Sequence, residues 1–85
     1  MAKYIISYDL RKPDFDYQPL YDALGAIGAT HIQDSVWVVR NDDSADSLAQ
    51  YLWGHMHNQK DRLLVVEMQE RNWKNWNGIN KLKPV

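Results

Sequence analysis

Asp9 is the side chain in this sequence best placed to do chemistry. It closes the apolar run Tyr4-Ile5-Ile6-Ser7-Tyr8 and is followed closely by Arg11 and Lys12. A carboxylate at the end of a buried strand can ligate Mg²⁺ or Mn²⁺, and such an ion orients a phosphate and lowers the pKa of its bound water. Arg11 and Lys12 supply the matching cations, one as a fork and one as a point charge. Ser35 stands at a sharp change between two extended segments, where its hydroxyl can orient Asp9 or a phosphate. Each of these residues also has a plainer role: Asp9 as an acceptor for loop N–H groups, Ser35 as a turn former, and Arg11 and Lys12 as solvated surface.

The remaining reactive types form weaker patterns. His55 and His57 are two residues apart, a spacing that puts them on different sides of a helix, so they read as a polar helix end rather than a metal pair. His31 is isolated, although an imidazole titrates near neutrality and can act as a general base. Trp73 and Trp76 lie among Arg71, Lys74, Lys81 and Lys83. Their three-residue spacing puts both indoles on one face, which suits packing better than base stacking. With no cysteine, disulfides, thiolate metal sites and thiol nucleophiles are excluded together. A formal net charge of −1 gives no global attraction to polyanions, so any nucleic-acid contact must come from a local basic patch.

The elements that must position these groups follow from periodicity. Residues 3–9 are β-branched and aromatic and read as a buried strand. The loop Leu10 to Phe15 contains Pro13, and Asp16 is an expected N-cap. From Tyr17 onward, Leu20, Ala23, Leu24 and Ile27 recur at helical spacing, with Gly28 suited to the C-terminal cap. Residues 29–33 and 35–40 form a tight β-β connection around Asp34. Ser44 or Asp43 caps a second helix carrying Leu48, Leu52 and Met56 with Ala45, Ala49 and Trp53. Residues 63–68 are the last strand, so residues 1–70 form the domain and residues 71–85 a tail that packs on it or on a partner chain.

Strand, helix, two strands, helix, strand is the split βαβ order of the ferredoxin-like α+β fold, βαββαβ, with a four-stranded antiparallel sheet and both helices on one face. The first and third strands lie at its centre, which brings Asp9 and Ser35 to the same edge. A chain of 85 residues buries only about 60–65% of its unfolded surface, so its core is marginal. The sheet face away from the helices is rich in apolar residues, and a second copy is the simplest cover. No apolar run approaches the roughly 20 residues of a membrane span, and the N-terminal run is too short for a signal peptide, so the expected location is cytoplasmic.

Two segments carry a family resemblance. Tyr4-Ile5-Ile6-Ser7-Tyr8-Asp9-Leu10 is similar to the hydrophobic first strand ending in Tyr-Asp of the Cas-two-like, CRISPR-associated proteins, and Ile32-Gln33-Asp34-Ser35-Val36-Trp37 to their Val-Gln-x-Ser-Val-Phe stretch. The match spans roughly residues 3–68 and most resembles the short SinR-like branch, with the VapD-like toxins as relatives by fold. The resemblance implies a ferredoxin-like homodimer of a prokaryotic or phage defence system, in which Asp9 meets its two-fold mate near a divalent metal. Some members of the family are metal-dependent endonucleases acting on RNA or DNA, and others are structural partners of a defence-system protein. The expectation adopted is a nuclease with Asp9 as catalytic metal ligand and Arg11, Lys12 and Ser35 as nucleic-acid contacts. The rival is a non-catalytic module that binds a protein or nucleotide across the dimer surface.

Overall fold

The computed structural model describes residues 2–69 together with Lys74, Trp76 and Gly78. Its elements are β1 (Ala2–Asp9), α1 (Gln18–Ala26), β2 (Thr30–Gln33), β3 (Val36–Asn41), α2 (Ala45–Trp53) and β4 (Arg62–Met68). The four strands form one antiparallel sheet in the order β2-β3-β1-β4, so β1 is central and pairs with both β3 and β4. This is the ferredoxin-like α+β arrangement expected from the order of the elements.

Strand alternation sorts the side chains of β1 onto two faces. Tyr4, Ile6 and Tyr8 are buried and join Leu20, Ala23 and Leu24 of α1 and Leu48 and Leu52 of α2 in a single core. Both helices therefore cover the same face of the sheet. On the opposite face Ile5 stands level with Val38 on one side and Val66 on the other, while Leu64 is 58% and Val66 42% exposed. Tyr4 and Tyr8 share the register of Ile6 and so point into the helix-covered core.

Local signals explain the helix ends. Ser44 adopts an extended conformation and its Oγ accepts the Ser47 N–H at 3.1 Å, as an N-cap must. Gly28 has φ +76°, its N–H donates to the Gly25 carbonyl at 3.0 Å, and the Ala29 N–H donates to the Leu24 carbonyl at 3.0 Å. These two bonds make a Schellman cap, in which a side chain at residue 28 would strain the backbone. The start of α1 differs from the expectation by one residue. Tyr17 is the capping position, and Asp16 supports the helix from one step further out, its carboxylate accepting the Gln18 N–H at 3.0 Å. The tyrosine side chain is engaged elsewhere, as described below.

Among the described residues no helix is long and apolar enough to cross a membrane. Trp73 and most of the tail lie outside the described residues. Trp76 is 76% exposed, with the Lys74 ammonium 5.9 Å from its ring centroid.

Candidate functional site

The antiparallel register places the candidate residues at one end of the sheet. The Tyr8 N–H donates to the Ser35 carbonyl at 3.1 Å, which brings the turn between β2 and β3 beside the last residue of β1. Asp9 and Ser35 thus share an edge, as the topology requires. On the other side Asp9 is paired with Arg62, the first residue of β4. A cleft of about 170 Å³ opens there, lined by Ser7, Tyr8, Asp9, Arg62, Leu63 and Leu64. Arg62 and Leu63 also border a larger apolar groove of about 430 Å³ against Ala49, Gln50 and Trp53 of α2.

The side chain of Asp9 is 55% exposed and its Oδ2 lies 3.6 Å from Nη1 of Arg11, itself 51% exposed. Lys12 turns away from Asp9 and pairs with Asp14 at 2.9 Å, and this ammonium holds the Asp14 carboxyl below its usual range. Both ion pairs stand in water, where such contacts contribute little and a phosphate can displace either carboxylate. Arg62 is the cation that reading the sequence missed. Its signal was available: once β4 is placed beside β1, the residue that opens β4 must face the one that closes β1.

Below this exposed layer lies a buried one. Asp61 is 6% exposed. Its Oδ1 accepts the Arg11 N–H at 2.8 Å and the Tyr17 hydroxyl at 2.5 Å, and its Oδ2 accepts the His57 N–H at 2.7 Å. Tyr17 in turn accepts the Lys12 N–H at 3.3 Å. The Phe15 ring packs against Tyr17 at 4.9 Å and edge-on to His57 at 5.7 Å. Imidazole Nδ1 of His57 accepts from the Lys60 N–H at 3.2 Å, so this histidine organises its own turn. His55 meets Tyr51 edge-on, and the two histidines serve different local contacts. His31 stacks on Trp37 at 4.4 Å, and the Trp37 Nε1–H donates to the Tyr8 hydroxyl at 2.9 Å.

No protein-family model matches this chain. Assignment of a function rests on the site itself. Among the described residues no three His, Cys, Asp or Glu side chains converge as a metal-ligand set. One chain brings a single carboxylate to the cleft, so a divalent ion of the kind expected at Asp9 needs further oxygen donors from water or from a second copy.

The Asp61–Tyr17 pair gives the fold a defined pH dependence. Burial pushes the Asp61 carboxyl up, but the Tyr17 hydroxyl, the Arg11 and His57 amides and the nearby His57 ring outweigh it and hold the group below its usual range. Burial first, and then the adjacent carboxylate, push Tyr17 up to about 12. A lowered carboxyl pKa contributes stability above the unfolded value of about 3.9 and loses it as pH falls through the folded value. A raised phenol pKa contributes stability below the unfolded value of about 10, which is lost as pH rises toward about 12. We expect denaturant midpoints to be flat from about pH 5 to 9 and to fall on both sides. In Tyr17→Phe the alkaline fall should shrink. An alkaline limb unchanged by that substitution would assign it to another group.

Proposed function

We propose that this chain is a cytoplasmic, homodimeric, Cas-two-like protein of a prokaryotic or phage defence-related system that hydrolyses phosphodiester bonds in RNA or another nucleic acid with a divalent metal at Asp9. The observation that supports this reading is the placement of Asp9. A half-exposed carboxylate ends the central strand in a cleft, with Arg11 on its own loop and Arg62 on the neighbouring strand. Mg²⁺ keeps several waters and is held by one or two carboxylates, so the donor set fits when a two-fold copy adds its own Asp9. Such an ion would lower the pKa of coordinated water and neutralise charge on the phosphate.

The chain's own residues then bind and orient. Arg11 exchanges its weak pair with Asp9 for a phosphate oxygen, Arg62 approaches from β4, and Lys12 holds a neighbouring phosphate. Ser35, at the same edge, can donate its hydroxyl to the backbone of a bound strand. Dimerisation is supported by the exposed Leu64 and Val66 beside Ile5 and Val38 on the face opposite the helices. The first test is light scattering at micromolar concentration, with a mass of twice the chain expected. A monomer at high concentration would remove the second carboxylate and with it the metal site. The second test is cleavage of single-stranded RNA and of duplex DNA with Mg²⁺ or Mn²⁺, and activity on neither would sink the enzymatic reading.

The 3.6 Å Arg11–Asp9 pair favours a second reading, in which the carboxylate is already neutralised and the surface only binds. A non-catalytic module of that kind would hold a nucleotide or protein equally well after chelation of all divalent cations. Loss of binding on chelation would count against it.

A further inference from the structure

The loop that carries Arg11 and Lys12 has no regular secondary structure, yet its backbone is tied at successive residues. The Arg11 amide is bound directly to Asp61, 50 positions away, and the Lys12 amide is bound to it through the Tyr17 hydroxyl. The Phe15 N–H closes a turn on the Lys12 carbonyl at 3.0 Å, and the Phe15 ring packs on Tyr17 and His57 from the far side. Each bond to the carboxylate is charge-assisted and largely withdrawn from water. The side chains are left outside, Arg11 51% and Lys12 38% exposed.

From this arrangement we infer that Asp61 is the positioning residue of an anion-binding loop, aiming Arg11 and Lys12 at neighbouring phosphates of a bound strand while remaining out of contact with them. The inference rests on the reading of Arg11 and Lys12 as phosphate contacts. Asp61 is poorly suited to act as a ligand or a base itself. Its oxygens already serve three donors, and among the described residues no trio of metal-binding side chains includes it. A latch of this kind makes the cost of phosphate binding smaller, because two side chains are presented from a backbone that no longer has to be ordered on binding.

The experiment uses the full chain labelled with ¹⁵N and a fluorescein-labelled single-stranded RNA decamer. Amide exchange at Arg11 and Lys12 reports the latch, and anisotropy reports binding. Tyr17→Phe removes one hydroxyl and should leave Ile6 and other core amides unchanged. It should speed Lys12 exchange about tenfold and weaken RNA binding roughly three- to tenfold, as expected for losing the hydroxyl's two hydrogen bonds, to Asp61 and from the Lys12 amide. Asp61→Ala should weaken binding by at least about tenfold; if it fails to fold, Tyr17→Phe decides. In a background carrying Arg11→Ala and Lys12→Ala, neither substitution should weaken binding further, because a residue that acts through those two side chains has nothing left to aim. Unchanged affinity in the folded variants, or an equal loss in that background, would overturn the inference, as would unchanged exchange at Lys12 in Tyr17→Phe. A wild type that binds no RNA removes the phosphate reading itself, and the exchange rates alone then decide whether the latch sets the loop.

Discussion

Leu52→Ala is expected to destabilise the protein by about 3–4 kcal/mol, within the range measured for deleting a buried leucine side chain. Leu52 is fully buried, in one core with Ile6, Leu20, Leu24 and Leu48. The substitution removes transfer free energy and leaves a void that a sheet and two helices meeting at one place cannot collapse to fill. A domain of 85 residues has a total stability of about 4–13 kcal/mol, so the loss takes a large share of it. At about 4–8 °C per kcal/mol, the melting temperature should fall by roughly 12–30 °C. Leu64→Ala is the control. Leu64 is 58% exposed, so within one chain its truncation should change stability by less than about 0.5 kcal/mol, and any larger effect should depend on protein concentration. A Leu52→Ala protein melting within a few degrees of wild type would mean that the core is packed elsewhere.

The second large effect is on chemistry. Asp9→Asn keeps the shape of the side chain and removes the charge that a hard cation requires. If the proposed activity is present, cleavage of RNA should fall by at least about 100-fold, equivalent to about 2.7 kcal/mol of transition-state stabilisation. Millimolar Mg²⁺ or Mn²⁺ should raise the melting temperature of wild type by mass action, and the substitution should abolish that rise. Because Asp9 is half-exposed and its pair with Arg11 stands in water, fold stability should otherwise change little. Retention of cleavage by Asp9→Asn would transfer the metal to other ligands. Loss of the metal-dependent shift without any cleavage in wild type would leave a binding site and no enzyme.

The fold was legible in the sequence because each element announces itself by period. Tyr4, Ile6 and Tyr8 alternate, Leu20, Ala23 and Leu24 recur at helical spacing, and Ser44 and Gly28 are residue types that caps require. The edge shared by Asp9 and Ser35 followed from topology alone. The buried layer did not. Asp61 lies just past the polar stretch His55 to Lys60 that ends the second helix, and its partners Arg11 and Tyr17 are 50 and 44 positions away. No periodicity marks a carboxylate that satisfies amides of a distant loop. The cap of α1 was misplaced for the same reason, since Tyr17 looked like the first apolar residue of a helix and is in fact held by Asp61. Arg62 was overlooked because it belongs to the site only through the pairing of β1 with β4.

That pairing also governs how the protein comes into being. Of the four strands β1 comes earliest in the chain, yet it is flanked by β3 on one side and by β4 on the other, and β4 runs to Met68. During synthesis at about 5–20 residues per second, β1 waits several seconds for its last neighbour. Until then Ile5 and Ile6 belong to an incomplete sheet with an open edge, the kind of edge that recruits strands from other chains. Pairings between distant segments also slow the final step, since loop closure must precede any gain from contact. The central position of β1 therefore leaves the nascent chain with an open strand edge until β4 has emerged.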